Sequence, residues 1–278
     1  MSVVTRFAPS PTGPLHLGHA FSAILAHERA RATGGTFLLR IDDLDQSRCR
    51  PHWETQIFDD LHWLGLAWPT PVLRQSDRLP RYRDALGMLW DQGLLYPCSC
   101  SRADIRAAAS APQEGAPLHG PDGLIYPGTC RPATPPAGAM PAETVLRLDM
   151  SRACKALDTP LIYMEKDTPF TPQDLPGTVG DVVLARRDMG ASYHLAVVLD
   201  DADQHITHVI RGEDLAPATQ IHVLLQRLLG RPTPAYEHHR LIRDAQGDRL
   251  AKRDDARALA TYRADGATPR DIRRMVGL

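Results

Sequence analysis

The sequence predicts an α/β protein built on a doubly wound parallel sheet, and two observations lead to this prediction. Strand-like and helix-like segments alternate from Val3 to Trp90, and such an order favours parallel strands joined by helical crossovers. The chain has 278 residues, of which 43% are hydrophobic and 23% are charged. This length and composition are typical of a globular protein with a sizeable buried core.

The individual elements follow from the spacing of the apolar residues. A strand is predicted over residues 3–8, and a helix follows over residues 19–33, where apolar side chains recur at helical spacing. Gly34 and Gly35 end this helix, and residues 36–41 form the second predicted strand. Two amphipathic helices come next. Their apolar markers are Trp53, Ile57, Leu61 and Leu64 in the first, and Tyr82, Leu86, Leu89 and Trp90 in the second.

The middle of the chain interrupts this alternation. Residues 107–142 are dense in Pro, Gly and Ala and show little periodicity, which predicts an inserted, loop-rich subdomain. Strand-like runs return at residues 181–185, 195–199 and 206–210. A further helix is predicted last, with the markers Ile221, Leu224, Leu225 and Leu228.

The composition argues against several classes of protein. No apolar run is long enough to cross a bilayer, and residues 1–6 do not begin a secretory signal peptide. The five cysteines are odd in number and unevenly spaced, unlike a secreted disulfide framework. We therefore expect a cytoplasmic protein without a membrane partner. We also expect a monomer. The net charge of -1 gives no overall nucleic-acid signal, and neither G-x-G-x-x-G nor G-x-x-x-x-G-K-[ST] occurs.

His16, Gly18 and His19 form the most informative motif, at the junction of the first predicted strand and helix. A helix N-terminus offers N–H groups and the positive end of the helix dipole, which suit polyphosphate, and glycine permits close approach of a ligand. Histidines beside a proline-rich turn are also common on ordinary surfaces. The motif alone therefore leaves both interpretations open.

A basic stretch near the C-terminus, residues 249–253, offers a cation for the same ligand. Lys252 is a compact charge on a flexible stem, which suits the negative charge that develops on a leaving pyrophosphate. Such a stretch is also typical of a solvated surface. Its interpretation depends on the rest of the sequence.

Together these motifs resemble those of the class I aminoacyl-tRNA synthetases of the glutamyl type. Residues 16–19 match that family's HIGH motif, and residues 249–253 match its KMSKS loop in degenerate form, with Arg for the first Lys and Ala for the Ser. The glutamyl subtype is indicated by residues 6–13, 39–45 and 209–215, which occur in the expected order.

This resemblance implies a ligase with a class I, Rossmann-like fold that activates an amino acid with ATP and Mg²⁺. His16, His19 and Lys252 would be the catalytic residues, and Gly18 would bind ATP with them. The implied domains are a first half of the catalytic domain (1–96), an inserted connective and zinc subdomain (97–180), a second half (181–240), and a loop with a short helical tail (241–278).

The substrate implied by the resemblance is L-glutamate. A buried carboxylate requires a charged partner, and arginine pairs with it bidentately. An arginine by itself is also common in an ordinary surface ion pair. Asp42 would take the ammonium group, although the family usually has Glu at this position. The glutamate-binding residues implied are Arg6, Ala8, Ser10, Asp42, Tyr193 and Arg211.

Three cysteines in the inserted region suggest a metal site. Thiolates hold zinc tetrahedrally, and a bound zinc stabilises a small module that lacks a core. Buried, metal-free thiols are the alternative. The arrangement of Cys98, Cys100, Tyr126 and Cys130 resembles the zinc site of a shortened branch of the family, with Tyr126 as the fourth ligand of one structural zinc. His119 is the ordinary alternative for that position.

The sequence ends at Leu278, so we expect no anticodon-binding domain. The shortened branch that the chain resembles activates glutamate without tRNA and then attaches it to the queuosine base at the wobble position of tRNA(Asp). Two alternatives remain open. One is a truncated synthetase that charges the 3′ end of a tRNA, and the other is a non-catalytic RNA-binding relative.

Overall fold

A computed structural model describes residues 2–109, 117–243 and 257–278 of the chain. The strands in these ranges are β1 (Val4–Phe7), β2 (Thr36–Ile41), β3 (Leu73–Arg74), β4 (Leu95–Cys98), β5 (His119–Gly120), β6 (Gly123–Leu124), β7 (Val145–Leu148), β8 (Tyr163–Glu165), β9 (Thr168–Phe170), β10 (Val183–Ala185), β11 (His208–Gly212) and β12 (Ala235–His239). The helices are α1 (Leu17–Ala32), α2 (Pro51–Trp63), α3 (Leu79–Asp91), α4 (Arg102–Ala109), α5 (Met150–Lys155), α6 (Leu175–Thr178), α7 (Tyr193–Asp203), α8 (Thr219–Leu228), α9 (Leu259–Ala264) and α10 (Pro269–Val276).

The chain divides into two compact units. The first comprises Met1–Asp77, His205–Asp214 and Pro234–Leu278, and the second comprises Arg78–Gln204 and Leu215–Thr233. The domain boundaries expected after residues 96, 180 and 240 stay a prediction.

The first unit contains the parallel strands that the sequence predicts. β1 pairs with β2 and β2 with β3, both in parallel register, and β11 pairs in parallel with β12. On the other edge of β1, the Thr207 N–H donates to the Val4 carbonyl oxygen at 2.9 Å. The strands therefore lie in the order β3-β2-β1-β11-β12. The connections leave β1 in opposite directions, which is the arrangement of a doubly wound sheet.

The core of this unit lies between the sheet and its helices. Ile24 of α1, Leu39 of β2 and Leu61 of α2 are buried in one apolar cluster. Ile272 and Val276 of α10 are fully buried in the same cluster, because they lie one helical turn apart on one face of α10. The C-terminal residues are thus part of the core of the first unit.

The second unit contains an antiparallel sheet, which the sequence did not predict. β7 lies between β10 and β4 and is antiparallel to both. The buried carboxylate of Asp181 connects this sheet to the inserted region: it accepts hydrogen bonds from Arg131 Nε at 2.6 Å and the Met150 N–H at 2.9 Å, and from the Tyr96 hydroxyl. Between residues 117 and 142, regular structure is confined to the β5–β6 hairpin, which agrees with the loop-rich insertion expected there.

One expected element is wrong. The apolar run at residues 195–199 is part of helix α7, not a strand. Every residue from His194 to Asp201 is buried, and an element buried on all sides loses the periodicity that separates helix from strand. Ser192 is the helix N-cap, and its hydroxyl accepts the Leu195 N–H at 3.3 Å. The helices expected near residues 19–33, 53–64, 82–90 and 221–228 are confirmed.

Among the residues that the structure describes, no helix has both the length and the apolar character needed to span a bilayer.

The stability of the first unit should depend on the charge of Asp60. This side chain of α2 is 2% exposed, and its Oδ2 has no hydrogen-bond partner among the described residues. Burial raises the pKa of Asp60 to about 6, against the effect of nearby Arg263 and with that of Asp59. Between pH 4 and 6 the folded chain retains a proton that the unfolded chain releases, so stability falls as the pH rises through this window.

Asp60→Asn should therefore raise the free energy of unfolding at pH 7 by about 3 kcal/mol and leave it unchanged below pH 4. Urea unfolding measured from pH 3.5 to 7.5 tests this. Asp59→Asn, at the exposed neighbouring position, is the control and should change stability by less than about 0.5 kcal/mol. Parallel pH profiles for the wild type and Asp60→Asn would contradict the prediction.

Candidate functional site

The sheet of the first unit reverses its direction of winding between β1 and β11. β1 and β11 are neighbours, and the chain leaves them toward opposite sides of the sheet. In doubly wound sheets a ligand binds outside the carboxyl ends of the strands at such a switch point. Arg6, in β1, and Arg211, in β11, lie near these ends. The turn that leads from β1 to the first helix begins there too.

The turn between β1 and α1 is held by backbone hydrogen bonds from three other segments. The Asp42 N–H donates to the Pro9 carbonyl at 3.0 Å, the Arg50 N–H to Pro11 at 3.0 Å, and the Leu259 N–H to Leu15 at 2.8 Å. An isolated β-bridge also joins His16 to Ala258. A segment without regular structure of its own is thereby fixed up to the first residue of the helix.

His16 and His19 cap α1 with their own rings. The Gly18 N–H donates to His16 Nδ1 at 3.1 Å, and the His16 N–H donates to His19 Nδ1 at 3.2 Å. Because each Nδ1 accepts a hydrogen bond, the proton of each neutral ring is on Nε2. The ring centroids are 3.8 Å apart. The helix N-terminus thus presents two adjacent N–H donors in addition to its dipole, an arrangement that suits phosphate oxygens.

Gly18 lies against the His16 ring. A Cβ at position 18 would lie 3.0 Å from His16 Cε1 and 3.2 Å from Nδ1, so a larger residue would displace the ring. Close approach of a ligand to Gly18, the role expected from the sequence, stays a prediction.

The arginines at these strand ends are both buried, and Arg211 is oriented by its neighbours. Arg6 and Arg211 are each 5% exposed. Arg211 Nε donates to His238 Nε2 at 3.1 Å, and its guanidinium carbon lies 5.5 Å from the centroid of the Tyr236 ring. His238, on β12, therefore fixes the plane of the Arg211 guanidinium group.

Asp42 lies at the carboxyl end of β2 and is held by an arginine. Arg40 is fully buried and donates from Nε to Asp42 Oδ1 at 2.7 Å and from Nη2 to Oδ2 at 3.5 Å. The adjacent Asp43 has a structural partner instead, since it accepts from the Ser76 N–H at 2.8 Å and the Ser76 hydroxyl at 2.6 Å. The two consecutive aspartates are thus distinguished by their partners.

The remaining predicted residues fall into three groups. Ala8 and Ser10 lie in the turn that follows β1. Tyr193 belongs to the second unit, where it begins α7, and its ring contacts those of His194 and His222 with centroids 5.6 and 5.7 Å away. Lys252 lies outside the described residues.

The cysteines of the inserted region form a compact cluster. The sulfur atoms of Cys98, Cys100 and Cys130 all lie within 4.8 Å of one another. Tyr126 Oη is 3.4 Å from Cys100 Sγ and 3.5 Å from Cys98 Sγ, and it accepts the Cys130 N–H at 2.8 Å. His119 is on the exposed strand β5 and is not in the group of potential metal ligands found among the described residues. The structure thus brings Tyr126 to the three thiols.

The chemistry of this cluster fits a metal ion. The hydrogen bond from Tyr126 lowers the pKa of the Cys130 thiol to about 6, and the thiolate is the form of cysteine that binds metals. Tetrahedral coordination by sulfur places neighbouring sulfurs about 3.7 Å apart, close to the 3.4 Å between Cys100 Sγ and Cys130 Sγ. Three sulfurs and one phenol oxygen match the number of donors that a closed tetrahedral site requires.

A family model for the catalytic domain of class I tRNA synthetases (E and Q) matches residues 2–278. The chain belongs to this family. The resemblance inferred from the motifs is therefore confirmed, and the protein is a ligase of the class I aminoacyl-tRNA synthetase type.

Curated relatives extend over nearly the whole chain. The chain is 63% identical over 284 residues to the Glutamyl-Q tRNA(Asp) synthetase of Rhodobacter capsulatus, an alignment that covers 99% of this chain and 100% of that protein. It is 44% identical over 286 residues to the protein of the same name from Symbiobacterium thermophilum, covering 96% and 83%.

Solved structures confirm the class I, Rossmann-like α/β fold. A glutamate tRNA ligase from Elizabethkingia meningosepticum, in complex with its amino acid, superposes with a TM-score of 0.77 at 28% identity, covering 100% of this chain and 61% of that one. A methionyl-tRNA synthetase from Mycobacterium tuberculosis superposes with a TM-score of 0.59 at 12% identity and so supports the fold alone. The chain thus spans less than two thirds of the length of the glutamate tRNA ligase.

The sequence did not predict two residues of the site. Arg40 and His238 each orient a predicted ligand-binding side chain, Asp42 and Arg211 respectively. Arg40 lies within a strand two residues before Asp42, so its charge inside an apolar run could have indicated a buried pair. No signal in a single sequence reveals that His238 faces Arg211, because the two are 27 residues apart.

The cysteine cluster should bind about one divalent metal ion per chain. Cys100→Ser removes one sulfur donor and should abolish stoichiometric binding. Cys154→Ser is the matched control, since Cys154 is a free, partly buried cysteine outside the cluster. Metal content after dialysis against a weak chelator, and the thiolate charge-transfer absorption of added Co²⁺, provide the measurement.

Tyr126→Phe separates the two candidates for the fourth ligand. If the phenol oxygen binds the metal, this variant should weaken metal affinity by at least tenfold, whereas His119→Ala should leave it unchanged. Loss of metal affinity in His119→Ala, with no loss in Tyr126→Phe, would identify His119 as the fourth metal ligand. Full metal binding by Cys100→Ser would show that the cluster is only a group of packed thiols.

Proposed function

We propose that this protein activates L-glutamate with ATP to glutamyl-adenylate without tRNA and then transfers the glutamate to the queuosine base at the wobble position of tRNA(Asp). The pair of imidazole donors at the N-terminus of α1 is the observation that carries this proposal. Both rings are held by the backbone at the switch point of a doubly wound sheet, where a nucleotide phosphate is expected. We also propose that the protein is cytoplasmic and monomeric.

In the first step a glutamate carboxylate oxygen attacks the α-phosphorus of ATP. A C–O–P linkage forms, the bond to the β-phosphate breaks, and pyrophosphate leaves with the electron pair. The nucleophile is already ionised, so no general base is needed, and catalysis consists of positioning and charge stabilisation. His16 and His19 donate to phosphate oxygens near Gly18. Mg²⁺ bound with ATP neutralises part of the phosphate charge.

Lys252 supplies the cation for the leaving pyrophosphate. It lies six positions before Ala258 in the sequence, and Ala258 forms a β-bridge with His16. Six residues span at most about 20 Å. The length of chain therefore permits Lys252 to reach the phosphates that the histidines bind.

Glutamate recognition uses the buried charges at the carboxyl ends of the strands. Arg6 and Arg211 pair with its carboxylates, and the orientation of Arg211 by His238 prepares a bidentate contact. Asp42 takes the ammonium group while Arg40 holds its carboxylate in place. Ala8 and Ser10, from the turn after β1, and Tyr193 complete the proposed set.

The RNA acceptor is inferred from the relatives. A protein that is 63% identical and aligned over its whole length is named for Glutamyl-Q and tRNA(Asp). Charging of a tRNA 3′ end is the second candidate, because the glutamate tRNA ligase structure covers this whole chain. The metal of the cysteine cluster is proposed to be a single structural Zn²⁺, since a closed set of thiolates and one oxygen suits that ion.

Amino-acid activation should be measurable without RNA. The wild type should catalyse glutamate-dependent exchange between ATP and labelled pyrophosphate, and Lys252→Ala should lower the exchange rate by about 10²-fold or more, because it removes charge stabilisation in the transition state. Lys166→Ala, in an exposed turn of the second unit, is the control and should retain the wild-type rate. Absence of exchange in the wild type would favour a non-catalytic RNA-binding protein.

Transfer of glutamate to tRNA(Asp) should require queuosine in that tRNA. Incubation with ATP and labelled glutamate should label tRNA(Asp) that contains queuosine and should not label the same tRNA transcribed without it. Labelling of both forms, or of tRNA(Glu) in their place, would overturn the proposed acceptor and favour charging of a 3′ end. The pyrophosphate exchange would still report the activation step.

A further inference from the structure

The second unit contains a cavity of about 470 Å³ that has no part in the sites described above. Its inner wall is apolar: Leu86 is 3% exposed, Leu146 is 2% exposed and Ala185 is 5% exposed. Its rim carries the exposed arginines Arg83, on α3, and Arg186 and Arg187, which directly follow β10. The volume is sufficient for a ligand of the size of one nucleotide.

The three rim arginines form no salt bridges with described residues, unlike other arginines of the second unit. Arg78 and Arg81, close to Arg83 in the sequence, form salt bridges with Asp200 and Asp203. In the part of the chain that the structure describes, no carboxylate forms a salt bridge with the rim arginines, although the charge of Arg186 acts on the carboxylate of Asp122. An exposed arginine usually gains little from an ion pair, but three guanidinium groups without salt bridges around one cavity create a positive field that attracts an anion.

Charge and shape together select the class of ligand. A free phosphate would use the arginines and leave the apolar wall in contact with water. A nucleotide within an RNA chain can contact both the arginines and the apolar wall. Its base has two apolar faces, and guanidinium groups bind its phosphates. Glu143 is the acid that lines the cavity, and its carboxylate can accept a hydrogen bond from the exocyclic amino group of a base.

We propose that this cavity binds one nucleotide of the RNA substrate. The base lies against Leu86 and Leu146, and Arg83, Arg186 and Arg187 bind the phosphates on either side. This inference rests on the proposed function in one respect, namely that RNA is the acceptor.

The test compares RNA binding with amino-acid activation in the same variants. The double variant Arg186→Ala/Arg187→Ala should weaken binding of tRNA(Asp) at least tenfold, and the slope of log K against log salt should become shallower by about one for each phosphate that the variant no longer binds. The rate of ATP–pyrophosphate exchange without RNA should stay at the wild-type value. Arg29→Ala, an exposed arginine at the end of α1, is the matched control and should change neither quantity.

A second variant tests the cavity without changing charge. Ala142 lines the cavity and is exposed, so Ala142→Phe should fill part of it, weaken RNA binding and leave the salt slope unchanged. Wild-type RNA affinity in both variants would overturn the inference, and so would a parallel loss of pyrophosphate exchange, which would assign the cavity to ATP. Absence of exchange in the wild type is a separate result that concerns only the proposed function.

Discussion

The hydrogen bond from the Leu259 N–H to the Leu15 carbonyl is the interaction on which the candidate site most depends. It joins the start of α9 to the turn that carries His16, and the β-bridge between His16 and Ala258 continues it. The last helix, α10, is in turn anchored by Ile272 and Val276 in the core beside α1. The geometry of a motif near the N-terminus is therefore maintained by the final twenty residues of the chain, whose burial supplies the free energy that orders the turn.

Several buried acids in this protein have an arginine as a salt-bridge partner. The arginines around the cavity of the second unit differ from these. Asp42 pairs with Arg40, Asp181 with Arg131, and Asp200 with Arg78. Removing one partner of such a pair leaves a buried charge without compensation, so these arginines are needed for folding. The arginines around the cavity of the second unit form no salt bridge among the described residues, although the charge of Arg186 acts on the carboxylate of Asp122, and their guanidinium groups can bind a ligand.

The sequence predicted the parts of the fold that local pattern determines. The helix that begins at the HIGH motif was predictable because a polar, proline-rich turn meets a periodic apolar segment there. The antiparallel pairing of β7 was not predictable, since its partners β4 and β10 are distant in the sequence, and the buried helix α7 lacked a distinguishing period. In the tail, Arg257 and Arg273 form salt bridges with acids that are not their sequence neighbours, and Arg274 forms one with an acid one helical turn away.

At the site, too, the sequence predicted positions but not the contacts between side chains. Spacing alone placed His16 and His19 at a helix N-terminus, but only their contacts show which ring nitrogen carries the proton. Each Nδ1 accepts a backbone N–H, so protonation of Nδ1 would turn an acceptor into a donor and break the cap. The neutral rings with the proton on Nε2 are therefore the form in which the helix begins correctly and also the form that offers two N–H groups to phosphate. Capping and ligand binding thus require the same tautomer, which explains why a histidine occupies the N-cap, where Ser, Thr or Asp is usual, and a second histidine occupies the third position of the helix.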